Sequence, residues 1–228
     1  MVQAAIVATF TESYEGCKDI ANSVNMQEVQ DNKPLPSAGL RERKRADTHA
    51  RIQAEAMRLF IERGFEATTL DDIAEAAFLS RRTLFHYFES KEEIVLSHTA
   101  EFPDAIAEAV AHRPADEPLL DMAEGALVEM ITRYQSPQLR ELARLIRDTP
   151  VLSAGDQAKY EKVERALAKA LANRKDLPEG DIACRVAAAT AIGILKLGVE
   201  AWLTGQDAGP GPFCKAAFAA LKNVIAKA

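Results

Sequence analysis

Cysteine is scarce in this chain: three residues in 228, Cys17, Cys184 and Cys214, far apart and in no metal-ligand spacing. An odd, scattered set argues against a disulfide framework or a zinc site and fits a reducing compartment. Aromatic residues are thin at 6%. No alternating β-branched run is long enough for a strand, so a sheet-based core is not expected. An excess of positive charge is also missing. Asp and Glu outnumber Lys and Arg 34 to 28, for a net charge of −6. Any contact with nucleic acid must therefore rest on a local basic patch. The longest apolar stretch, Val186 to Leu203, is interrupted by Thr190, Lys196 and Glu200. Those interruptions favour a buried bundle helix over a membrane span. Met1 to Phe10 lacks the basic start and long apolar core of a signal peptide. The expectation is a soluble, cytoplasmic protein without a membrane partner.

Catalytic signatures are missing as well. A di-iron bundle needs Glu-x-x-His pairs, and none of His49, His86, His98 or His112 has an acid three residues before it. There is no Gly-x-Ser-x-Gly elbow, Walker loop or dinucleotide fingerprint, and Gly209-Pro210-Gly211-Pro212 is a turn rather than a phosphate cradle. The chain reads as a non-enzyme with no cofactor and no metal.

What is present is helix. Residues 1–39 are acidic and end in the loop-like run from Asn32 to Gly39. They read as a disordered tail, or as an upstream segment with Met26 the true start. From Arg41 the pattern is continuously helical, broken by short loops, and counting the breaks gives about nine helices in an all-α fold. Ile52, Ala56, Leu59 and Phe60 share one helix face. One loop is placed at Thr149–Gly155, and residues 91–112 read as a single helix. The organisation expected is a tail over 1–39, a helix-turn-helix DNA-binding domain over 40–90 and a helical domain over 91–228.

Residues 69–88 carry the sharpest signal. Thr69 is a good N-cap, with Asp71 and Asp72 in the first turn of a short helix. After a tight connection through Phe78 and Leu79, Ser80 caps a second helix. Ile73, Ala77, Leu79, Leu84 and Phe88 would fill its core. Arg81, Arg82, Thr83, His86 and Tyr87 would face outward, as donors able to reach bases and phosphates in a major groove. Arg41, Arg43, Lys44, Arg45 and Arg51 gather at the entrance to the first helix, and Lys91 sits at the N-terminus of another, suited to a phosphate. Residues 41–91 hold ten Lys/Arg and nine Asp/Glu, so the bases matter by clustering and not by number.

Phe60 to Ala74, continued through Ser90-Lys91-Glu92, resembles the DNA-binding domain of the tetracycline-repressor (TetR) family over about fifty residues. The resemblance implies an all-α homodimer, three N-terminal helices that read an operator, and a divergent C-terminal bundle that senses a ligand. It implies DNA-facing roles for Thr69, Arg81, Arg82, Thr83, Phe85, His86, Tyr87 and Lys91. Arg43, Lys44, Arg45 and Ser80 complete the expected DNA-binding set. Two positions depart from the family pattern, both usually glycine: Arg82 and, at the turn, Phe78. A left-handed Phe78 would carry a steric cost that burial of the ring must offset. A rival path gives it negative φ and half exposure.

Residues 91–228 say less. The resemblance assigns dimerisation to the last two helices, where Ala187, Ala188, Ala189, Ala191, Gly193 and Gly198 would allow close approach and Trp202 and Phe218 would supply area. Residues proposed for a pocket holding an apolar small-molecule effector are His98, Phe102, Met122, Met130, Tyr134, Arg144 and Cys184. The function expected is a ligand-responsive transcriptional regulator, a repressor released from a palindromic operator by a small molecule. The alternative is a helical DNA-binding protein without an effector, controlled by a protein partner.

Overall fold

The computed structural model describes residues 37–135, 137–205 and 209–227, and the expected tail lies outside them as far as residue 36. Every regular element among the described residues is a helix, and the shortest of the ten segments is a single turn. The chain divides into two compact units, one ending at Ile94 and the other beginning at Val95.

The first unit is built on α1 (Ser37–Arg63), α2 (Leu70–Ala76) and α3 (Arg81–Leu84), and it includes the start of α4 (Lys91–Ser97). Ile52, Ala56, Leu59 and Phe60 of α1 are all buried, as their shared face predicts. They share the core with Ile73, Ala74, Ala77, Leu84 and Phe88. Each large side chain so buried is worth about 1.5–3 kcal/mol. α1 stops at Gly64, whose φ of +86° closes the helix while its N–H donates to the Phe60 carbonyl at 3.0 Å. A side chain at that φ would clash with the backbone, so glycine is required there.

The second unit comprises α5 (Phe102–Ala111), α6 (Leu119–Tyr134), α7 (Pro137–Asp148), α8 (Pro150–Arg174), α9 (Ile182–Thr204) and α10 (Gly211–Ile225). Helices α5, α6, α7 and α9 pack on α8, while α10 packs on α9 and α6. Their shared core includes Ile106, Met122, Leu127, Leu167, Leu171, Ile192 and Phe218. α9 is long and apolar enough to cross a membrane by length and composition. Instead it buries Ala188, Ile192, Leu195 and Trp202 within the bundle.

Two boundaries differ from expectation, and proline explains both. Residues 91–112 form two helices, because Pro103 in the first turn of α5 has no N–H to continue a helix from above. The loop expected at Thr149–Gly155 shrinks to Thr149, because Pro150 opens α8 at once. Gly155 then lies inside a helix, where a Cβ would stand 2.6 Å from Leu96 Cδ1.

The small residues proposed for the dimer face also need correction. Ala187, Ala188, Ala191 and Gly198 are buried inside the unit, as are Trp202 and Phe218. At Gly198 a Cβ would meet Cys214 Sγ at 2.8 Å and the Pro210 carbonyl oxygen at 3.3 Å, so this glycine lets α9 approach α10 within one subunit. Ala189 and Gly193 remain exposed.

Candidate nucleic-acid interface and internal cavity

α2 begins with a complete capping box. The Thr69 hydroxyl accepts from the Asp72 N–H at 3.2 Å, and the Asp72 carboxylate accepts from the Thr69 N–H at 2.8 Å. Two otherwise orphaned donors are thereby satisfied. Hydrogen bonds from the Thr69 hydroxyl first, and then its N–H, hold the Asp72 carboxyl below the usual carboxylate range. At the far end the chain turns through Phe78, whose φ is +53°, and the Leu79 N–H reaches back to the Ala74 carbonyl at 2.8 Å.

The left-handed turn is therefore present in spite of the missing glycine. The expected burial is not: the Phe78 ring is 90% exposed. The rival path with negative φ is also absent.

Ser80 caps α3, its hydroxyl accepting from the Thr83 N–H at 3.1 Å. α3 completes one α-helical turn and then tightens, with His86 N–H donating to Thr83 at 3.1 Å and Tyr87 N–H to Leu84 at 2.8 Å. Leu84 and Phe88 anchor this segment in the core. Arg81, Arg82, Phe85 and His86 are exposed, and Thr83 and Tyr87 half-buried. Arg81 is held ready by Asp71 at 2.9 Å and lies 5.5 Å over the Phe85 ring. A phosphate or guanine edge would compete with that exposed carboxylate for the guanidinium. Arg43, Lys44 and Arg45 are exposed on α1, and Thr69 and Ser80 are exposed at the starts of α2 and α3.

Lys91 departs from its expected posture. Its ammonium donates to the Phe65 carbonyl at 2.8 Å and to Thr68 at 3.4 Å, and it lies 4.3 Å over the Phe65 ring. The loop after Gly64 leaves those carbonyls without helical donors, and Lys91 supplies them. It ties down the α1–α2 loop instead of standing free for a phosphate.

The second unit holds a partly open cavity of about 360 Å³. Phe102, Met130, Leu142, Ile146, Val163 and Leu195 supply apolar wall, and Asp156, Lys159, Tyr160, Lys196 and Trp202 supply the polar part. Lys159 pairs with Asp156 at 2.7 Å and lies 4.2 Å over the Tyr160 ring. Burial pushes the Lys159 ammonium pKa down, against the pull of Asp156. Burial first, and then the Asp156 charge, pushes the Tyr160 phenol up.

Of the expected pocket residues, Phe102, Met130 and Tyr134 line this cavity, and the rings of Phe102 and Tyr134 meet at 4.9 Å. His98, Met122, Arg144 and Cys184 do not line it. Met122 and Cys184 belong to the packed core, and Arg144 pairs with Glu141 on the surface at 2.9 Å. The sequence reading missed Lys159 and Asp156. Their spacing, one turn apart beside a tyrosine, was the available sign of an internal ion pair.

Residues 52–97 match the family described as "Bacterial regulatory proteins, tetR family", and residues 117–226 match "MftR C-terminal domain". The HTH-type transcriptional regulator TcmR of Streptomyces glaucescens is 34% identical over 151 residues, covering 63% of this chain and 67% of that protein. The transcriptional regulator MftR of Mycobacterium tuberculosis is 29% identical over 167 residues, covering 72% of this chain and 84% of that protein. A TetR-family regulator from Syntrophomonas wolfei superposes with a TM-score of 0.60 at 16% identity, covering 78% of this chain and 95% of that one. The matched families and relatives are regulators of transcription, not enzymes.

Proposed function

The chain belongs to the tetracycline-repressor family of bacterial transcriptional regulators, and from that premise we propose a repressor released from a palindromic operator by a small molecule. The DNA-binding half is supported by the capped helix-turn-helix and its exposed Arg81, Arg82 and His86. In this reading Thr83, Phe85 and Tyr87 add groove contacts, while Thr69, Ser80, Arg43, Lys44 and Arg45 meet the backbone. Lys91 contributes by fixing the loop that leads into α2.

One observation carries the effector half: the cavity of about 360 Å³ inside the second unit. A concave, largely apolar pocket of this size with a few polar groups in its wall is the usual form of a small-molecule site. A regulator answering only to a protein partner gains nothing from it, whereas a ligand sensor requires it. Family members act as dimers. Here the dimer is assigned to α9 and α10, placing two recognition segments in successive major grooves roughly 34 Å apart. An effector that prefers the non-binding arrangement shifts the population from DNA, and tenfold release needs about 1.4 kcal/mol of coupling. Its target puts the protein in the cytoplasm.

Sequencing DNA fragments selected by the purified protein tests the reading. An inverted repeat should emerge, and adding a cavity ligand should release it. Selection of fragments without any shared motif would remove the operator from the proposal.

A further inference from the structure

We infer that the cavity of the second unit selects an apolar organic acid. The ligand would have a hydrocarbon body, an anionic group that pairs with Lys159 and Lys196, and a remaining oxygen that accepts from the Trp202 indole N–H. This rests on the effector reading above and narrows it to a ligand class.

Three features of the wall lead there. Its apolar side chains, Met130, Leu142, Ile146 and Leu195 among them, call for a hydrocarbon body. Trp202 is 3% exposed and lines the cavity, and its N–H has no partner among the described residues. A buried donor without an acceptor is disfavoured, and a ligand oxygen supplies what is missing.

The charges complete the argument. Lys159 and Lys196 approach the same Tyr160 ring, at 4.2 and 5.0 Å. Asp156 faces Lys159, whereas Lys196 meets the uncharged Gln157 amide oxygen at 3.2 Å. Two ammonium groups are thus set against one carboxylate, with the Lys159 side chain 18% exposed. Arg147 and Glu200 also line the cavity and, like Lys196, are exposed, so the wall as a whole carries three cations to two carboxylates, with Asp148 holding Arg147 at 2.7 Å. A cationic ligand would lie beside two like charges. A neutral one would bring the Lys196 ammonium, which faces the uncharged Gln157, no countercharge. An acid answers the charge and the unmet donor together.

Trp202 is the only tryptophan, so its fluorescence reports occupancy. The full chain is titrated with decanoate, decan-1-ol and decylamine, and with 2-naphthoate and 2-naphthylmethanol, calorimetry serving alongside fluorescence. For at least one body, the acid should bind at least about tenfold tighter than its alcohol, a difference of about 1.4 kcal/mol. Decylamine should be weaker than decanol. Lys159→Met should bring the acid-to-alcohol ratio to within about twofold. Lys196→Met, at an exposed residue that threatens the fold less, should lower the same ratio. Trp202→Phe, followed by calorimetry, should weaken acid and alcohol alike. Equal binding of alcohol or amine, a ratio that survives both lysine changes, or no binding by any probe would overturn the inference. An acid that binds with the expected ratio yet leaves the operator complex intact would support the ligand class and overturn the effector reading instead.

Discussion

Phe78 combines a φ of +53° with a ring that is 90% exposed, so the strained backbone receives no packing in return. A left-handed L-residue costs roughly 1–2 kcal/mol, and glycine escapes that cost at the expense of about 0.5–1 kcal/mol of chain entropy. Phe78→Gly should therefore be more stable than either the parent or Phe78→Ala by roughly 0.5–1 kcal/mol. Chemical denaturation measures the difference, and equal midpoints for Gly and Ala would show that the turn is unstrained. Lys91 calls for the opposite experiment. Its part-buried ammonium serves the Phe65 carbonyl and ring, so Lys91→Met should lower stability by about 1–2 kcal/mol. A variant with unchanged stability but weaker DNA binding would return Lys91 to the phosphate role. Arg82→Ala should leave the melting temperature alone and cost about 1–3 kcal/mol in operator affinity if the side chain reads a base. Arg81→Ala should weaken binding too, while freeing the Asp71 carboxylate. Unchanged affinity of both arginine variants at fixed salt would take α3 out of the interface. At this scale the caps were legible, because each rests on local backbone chemistry, and the left-handed turn was one of the two paths the sequence allowed. The exposure of Phe78 and the inward turn of Lys91 depend on neighbours distant in sequence, which spacing does not report.

Among the elements, the legible boundaries were those marked by caps and turns. Thr69 and Ser80 announce α2 and α3 through their own hydroxyls. Pro103 and Pro150 were overlooked as helix openers, and the apolar periodicity on either side does not distinguish one long helix from two short ones. Glycines inside helices were equally ambiguous, since a small residue suits a contact within the subunit as well as one between subunits. The structure separates two cases. A Cβ at Gly198 meets Cys214 Sγ at 2.8 Å and, behind it, the Pro210 carbonyl oxygen at 3.3 Å. One at Gly155 meets only the end of the Leu96 side chain, at 2.6 Å. A leucine tip can rotate away, whereas α9 and α10 must separate to admit a methyl group. Gly198→Ala should thus destabilise by about 1–3 kcal/mol. Gly155→Ala should cost less, because alanine's better helix propensity, about 1 kcal/mol, offsets part of the crowding. Thermal melts of the two variants compare them directly, and the reverse order would show that the α9–α10 crossing is slack. The buried Cys214 thiol at this crossing, pushed up to about 11 by burial, is a packing group and not a reactive one.

For the whole molecule, the dimer contact is again proposed on the last two helices, but the burial pattern moves it to other residues. Ile182, Val186, Ala189, Gly193 and Leu197 lie on one exposed stripe of α9, and Phe213, Ala216, Ala220 and Val224 on one exposed stripe of α10. Val186 and Leu197 are 57% and 55% exposed, and no atom approaches within 4 Å of a Cβ placed at Gly193. An apolar stripe of this kind on each of two adjoining helices is costly in water and suits a second copy of the same face. Val186→Glu combined with Leu197→Glu should leave the subunit folded, because neither side chain reaches the core. It should convert the dimer to a monomer in sedimentation velocity, since it buries carboxylates in an apolar, self-complementary face. Operator affinity should fall at least about tenfold, because one recognition segment no longer brings its partner to the second half-site. Val151→Glu, at a 51% exposed position on α8, adds the same charge away from the stripes and should leave the dimer intact. If the double variant still sediments as a dimer, the partner contact lies elsewhere, and the exposed stripes of α9 and α10 need another occupant.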